Sequence, residues 1–235
     1  MGCGSSSAAA SPVEKFGKAI ACVGWGVLGE TMGSSPWDTK AVAPKPDGTT
    51  IIVDPASTQI KNPGFTPGSA GGAAGAIYRF LGIAENDTFP PDVVSSLNAI
   101  GDACYKRYGH PQALHVIHVI GPDFKKMSMT RDEAVEELTA AYCNVLKQAA
   151  SQGRRLLRLV PISSGIYAGP FKAEMAEITA EALLAGFEKL EPAQQANLAP
   201  HEGRSVELCL FDPSEVKQFA TAIQRLLTTF DSTKV

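Results

Sequence analysis

The stretch Pro67 to Gly82, PGSAGGAAGAIYRFLG, restricts the fold more than any other part of the chain. It follows a short apolar run, Thr50 to Val53, that reads as a buried strand. Asp54-Pro55 reads as the end of that strand and Ala56 to Gly68 as a long loop. Gly68, Gly71, Gly72, Gly75 and Gly82 punctuate the stretch. Ile77, Phe80 and Leu81 share one face of a short helix, and Gly82 is placed to end that helix in the left-handed conformation. A glycine turn that opens a helix presents free backbone N–H groups and the positive end of the helix dipole. That is a site for an anion, phosphate above all. A Gly/Ala-rich helix packed tightly on a sheet would be written with the same residues, so both readings stand at this point.

A second unit of the same kind comes later in the chain. Leu156 to Ile162 reads as a buried strand and runs into Ser163-Ser164-Gly165-Ile166-Tyr167-Ala168-Gly169-Pro170, and a helix is expected from Phe171 to about Leu190. Between the two units the pattern predicts a helix over Pro91 to Ala99 and strands over Cys104 to Tyr108 and Ala113 to Ile120. An amphipathic helix follows over Arg131 to Ala150. After a polar linker, Glu191 to Arg204, come a strand over Val206 to Phe211 and a last helix from Pro213. Helices alternating with near-continuous apolar strands indicate an α/β fold, a three-layer α/β/α sandwich on a mixed, mostly parallel sheet. Ligands of such sheets bind at the carboxyl ends of the strands. Both glycine loops sit there, placed to hold the two phosphates of a diphosphate between them.

Other features narrow the function. The 235 residues carry a net charge of −3 with no Lys/Arg cluster of five or more, so general nucleic-acid binding is not suggested. No apolar run approaches the ~20 residues of a membrane-spanning helix. The five cysteines are scattered and form no CxxC pair, as expected of reduced thiols in an intracellular, cytoplasmic protein. His115 and His118 are three apart and face opposite sides of a strand, which argues against a shared metal. No cofactor is implied. Gly24 to Gly29 spells GxGxxG, but Gly33, Ser34, Ser35 and Pro36 break the long helix that a dinucleotide site needs. Residues 1–15 are low-complexity, and 16–235 read as a single domain. The chain begins Met-Gly-Cys with Ser6, the pattern of N-myristoylation at Gly2 and palmitoylation at Cys3. That predicts anchoring at the cytoplasmic face of a membrane by two acyl chains. Oligomeric state is left open.

Three blocks, taken in order, resemble a macro domain, the ADP-ribose-binding fold. Ala70 to Gly82 is similar to the family's GGGVxGAI segment and its helix. Gly101 to Pro122, GDACYKRYGHPQALHVIHVIGP, resembles the family's strand pair ending in YVIHxVGP. Leu159 to Pro170, LVPISSGIYAGP, resembles its PxISTGIYGYP loop. The resemblance spans about Thr50 to Phe230.

The resemblance implies a cleft for ADP-ribose, free or on a protein. Gly71, Gly72 and Ala73 would line one side of the diphosphate. Ser163, Ser164, Gly165, Ile166 and Tyr167 would line the other, with Tyr167 near the distal ribose. Asp38 would take the adenine amino group. The chain departs from the family at VNAAN, which is Val53-Asp54-Pro55-Ala56-Ser57 here. Ser57 and Asp54 still form hydrogen bonds there, but a carboxylate accepts only. Ala74 stands where members that remove ADP-ribose carry an aspartate. Three functions remain as alternatives. The first is a binding module for ADP-ribose or a related nucleotide diphosphate. The second is an ADP-ribosyl or acyl-ADP-ribose hydrolase with Asp54 as general base. The third is a scaffold whose long loop closes the cleft, with Phe65 between the glycine loops.

Overall fold

A computed structural model describes residues 10–33, 38–109, 113–199 and 205–232. The expected acylation sites, Gly2 and Cys3, lie outside them. Helix α1 (Pro12–Lys18) opens the fold. Ser11 caps it by accepting from the Glu14 N–H, and the Glu14 carboxylate accepts from the Ser11 N–H in return. Val13 and Phe16 of this helix are buried in the core. Strand β1 (Ile20–Val23) ends in a turn at the GxGxxG segment, which leads into a hairpin, β2 (Glu30–Met32) and β3 (Thr39–Ala41). Among the described residues the motif is followed by strand β2 and not by a helix.

Strand β4 (Thr50–Ala56) runs past Asp54 and Pro55, which do not end it. Helices α2 (Gly72–Phe80) and α3 (Pro91–Ser96) come next, then β5 (Ala103–Tyr108) and β6 (Leu114–Ile120). Helix α4 (Arg131–Ala150) has its own capping box at Thr130 and Glu133. Strand β7 (Leu156–Leu159) leads through short 3-10 turns to α5 (Met175–Glu188). The polar linker contains a helix, α6 (Pro192–Leu198), before β8 (Ser205–Cys209) and α7 (Val216–Ser232). The expected polar linker thus holds a helix that has no fully buried residue and rests on the core through Leu198.

The main sheet runs β1-β8-β7-β4-β6-β5, parallel except for β5, which is antiparallel to β6. One core lies beneath the sheet among α1, α4, α5 and α7, with Phe16 stacked on Phe187 at 4.1 Å. The other lies among α2, α3 and the loops and holds Ile52, Ile77, Tyr78 and Phe89. This is the α/β sandwich expected from the alternation of elements. The register around β4 sets where the sheet opens. Pairing with β6 runs from Ile51–His115 to Ala56–Ile120, whereas pairing with β7 stops at Ile52–Arg158. Pro55 is tolerated because β4 has already lost its β7 neighbour at that level.

Candidate functional site

Beyond the last β4–β7 pair the two strands part, and the loops after them face one another across a cavity of about 470 Å³. One wall is the turn into α2. Gly71 is its N-cap, and Gly72 takes φ 56°, a left-handed backbone that favours glycine. The first N–H groups of a helix have no partner within it, so this turn offers donors to the cavity. Gly75 sets how close the turn lies. A Cβ there would stand 2.1 Å from the Ala70 carbonyl oxygen.

The other wall is the loop after β7. Ser163 takes φ 60° and Gly165 φ 61°. A left-handed non-glycine residue costs about 1–2 kcal/mol. The loop is tied to the opposite layer by Tyr142 of α4, whose hydroxyl accepts from the Ile162 N–H at 2.9 Å. Ser163, Ser164, Gly165, Ile166 and Tyr167 line the cavity, as do Ser57, Gly71, Gly72 and Ala73. Ile166 stands out at the rim with 78% of its surface exposed. Apolar surface comes from Ile60, Phe65 and Val160. Phe65 stacks on Phe89 at 5.9 Å and forms part of the wall, so the long loop leaves the cavity open.

Among the described residues lining this cavity none is charged. Backbone N–H groups and hydroxyls therefore set its polarity. Such a lining suits an anion with a flat or apolar body attached. A smaller compartment of about 180 Å³ continues from it, sharing Pro55, Ser57, Gln59, Ser163 and Tyr167.

Asp54 is not part of the lining. Expected at the end of its strand and as a general base, it lies instead inside β4, where it is 0% exposed. Its Oδ2 accepts from the Tyr78 hydroxyl at 2.7 Å and faces His118 Nδ1 at 2.7 Å, and Tyr108 hydroxyl meets His118 Nε2 at 2.8 Å. Burial, reinforced by the Asp54 charge, pushes both phenols above their ordinary range, so both stay protonated donors. With Tyr108 donating to Nε2, the imidazole proton sits on Nδ1 and faces Asp54. Asp54 thus acts from beneath the cavity, holding Tyr78, which does line it.

Asp38 is not brought to the cavity either. It is exposed at the mouth of the β2–β3 hairpin, where the Gly33 N–H donates to its carbonyl at 2.8 Å. His115 and His118 face opposite sides of β6. His115 Nδ1 meets the Tyr105 hydroxyl at 2.6 Å, on the face away from Asp54. Tyr78 and the buried Tyr142 were not foreseen as contributors, and Phe65, expected between the glycine loops, forms part of the wall instead. Of the two tyrosines Tyr78 was the more legible, since it lies one helical turn beyond Ala74 on the same face.

The Macro domain family model matches residues 53–178 of the chain. A macro domain-containing protein in the gbd 3' region of Cupriavidus necator is 32% identical over 119 residues, 51% of this chain and 64% of that protein. The chain therefore matches less than two-thirds of that relative's length. Among solved structures, the Oceanobacillus iheyensis macrodomain with ADP aligns at TM-score 0.53 and 18% identity, covering 78% of this chain and 87% of that one. The Trypanosoma brucei macrodomain in complex with ADP aligns at TM-score 0.52 and 21% identity, covering 88% and 69%. These likenesses are of fold, and they agree with the sandwich and the split sheet described above. The chain belongs to the macro domain family.

Proposed function

We propose that the chain is a binding module for ADP-ribose, free or attached to a protein, seated in the cavity between the α2 turn and the Ser163–Tyr167 loop. The observation that carries this reading is an open cavity of about 470 Å³ walled by two glycine turns and no charged side chain among the described residues. A diphosphate there meets N–H donors at a helix start and hydroxyls on the facing loop. Solved relatives hold ADP, and a variant of the Oceanobacillus iheyensis macrodomain holds ADPR. Binding is favoured over hydrolysis because removal of ADP-ribose needs a carboxylate or imidazole beside the attacked carbon. In the main cavity the described lining offers neither: Asp54 is sealed beneath Tyr78, and Ala74 supplies no acid.

Isothermal titration with ADP-ribose, with AMP and NAD as controls, tests the proposal. Micromolar binding of ADP-ribose is expected, with AMP weaker because it lacks the second phosphate. Absence of binding up to millimolar ADP-ribose would overturn it.

A further inference from the structure

The small compartment beside the main cavity differs from it in charge. Its wall carries Asp123 and Lys126, whereas the described lining of the main cavity carries no ionic side chain. Asp123 lies just after β6, past Gly121 and Pro122. Its Oδ2 pairs with Lys126 Nζ at 3.0 Å, and its Oδ1 is buried without a hydrogen-bond partner. The Ser163 hydroxyl, on the wall common to both spaces, is also buried and unpartnered. A carboxylate oxygen and a hydroxyl left unsatisfied are costly where they stand, and each is relieved by a donor. Asp123 itself lines the compartment, so a donor placed there meets its carboxylate.

We infer that Asp123 is a specificity-determining residue of this site, selecting ligands that continue past the second phosphate as a neutral, hydroxyl-bearing group over ligands that end at that phosphate. The inference rests on the diphosphate-binding reading above. A sugar hydroxyl donates to the carboxylate and gives Ser163 a partner. A terminal phosphate has only acceptor oxygens and an extra negative charge, so it meets the carboxylate unfavourably. Lys126 offsets part of that repulsion from an exposed position, with 72% of its side chain in solvent.

The test is a titration of the full chain with ADP and with ADP-ribose, in the parent and in Asp123→Asn and Lys126→Ala. The parent is expected to prefer ADP-ribose. Asp123→Asn narrows that preference by about tenfold, the worth of one hydrogen bond to a charged group. Lys126→Ala widens it, because the carboxylate loses its counter-ion and ADP weakens more. Thermal melts confirm that each variant is folded. An unchanged ADP-ribose to ADP ratio in Asp123→Asn, or a narrowed one in Lys126→Ala, overturns the inference while leaving the binding site in place. Failure of the parent to bind either nucleotide overturns the binding reading itself, and this one with it.

Discussion

Asp54 and His118 stand directly opposite each other on neighbouring parallel strands, with Oδ2 and Nδ1 2.7 Å apart and neither side chain more than 2% exposed. Parallel pairing in register puts both on the face that carries Ile52 and Val116, so the contact is a product of the sheet. Removing the carboxylate as Asp54→Ala strands the Tyr78 hydroxyl and the His118 ring N–H in a dry core. Each buried donor left unpaired costs about 1–3 kcal/mol. A loss of about 3–5 kcal/mol is expected in urea unfolding. Asp54→Asn keeps an acceptor for Tyr78, and its cost is expected below about 2 kcal/mol. ADP-ribose affinity should stay within about threefold in Asp54→Asn, because the residue lies beneath the site; a tenfold loss at unchanged stability would put the carboxylate within reach of the ligand.

His115 gives the protein an acid-sensitive element on the other face of β6. Burial, then the charges of Arg154 and Arg107, hold its imidazole below the ordinary value of about 6.5. In the unfolded chain the imidazole takes up a proton as the pH falls through about 6.5, while the folded one stays neutral. Stability from this group is therefore complete above that pH and declines below it. Urea unfolding from about pH 7.5 down to about pH 5 should show that decline, and His115→Gln should flatten it.

Gly72 and Gly75 lie one turn apart and are expected to fail for different reasons. Gly72 has open space around it but takes φ 56°. Gly72→Ala should cost about 1–2 kcal/mol, the ordinary penalty of a left-handed L residue. At Gly75 an added methyl runs into the Ala70 carbonyl. Overpacking against backbone forces the turn outward, and Gly75→Ala should cost about 2–3 kcal/mol or more. Both should weaken ADP-ribose. Guanidinium unfolding ranks the two, and equal costs would argue against the close packing of the turn.

Arg158 is 3% exposed and holds three groups at once. Its Nε donates to Glu207 at 2.8 Å, and its Nη1 donates to the carbonyls of Val27 at 3.2 Å and Pro44 at 2.9 Å. It therefore ties both flanks of the β2–β3 hairpin to the sheet. Arg158→Leu should cost about 3 kcal/mol, the usual result of breaking a buried pair from one side. Hydrogen exchange should speed up first around Val27 and Pro44. Uniform acceleration across the sheet would mean that the arginine serves the core and not the hairpin.

The order of elements and the placing of both glycine loops were legible because glycine and proline punctuate the chain and the strands are near-continuous apolar runs. The family blocks were legible in the same letters. Asp54 was misread because an Asp-Pro pair usually ends a strand. Here β6 keeps pairing alongside it, which no local signal reports. Asp38 was misplaced because its segment folds into a hairpin, and two strands of three residues leave little trace in a polar loop. The role of Tyr142 depends on a contact between α4 and a loop 20 residues further on, and amphipathic spacing says only that the tyrosine is buried.

The ladder between β4 and β7 ends at Ile52–Arg158, while the one between β4 and β6 continues for four more residues. The cleft is thus a tear in a sheet, opened from one end. Neighbouring strands lie about 4.8 Å apart where they are bonded, and the width of the gap grows from there with the length of the unzipped part. A single phenol from the far layer, Tyr142, holds one torn edge. Exchanging side chains on the loops changes which chemical groups are welcome. Changing the size of guest that fits between them means moving backbone, by re-pairing a strand or by forcing the α2 turn outward at Gly75. Recognition in this chain is therefore free to drift, while its gauge is set by the backbone.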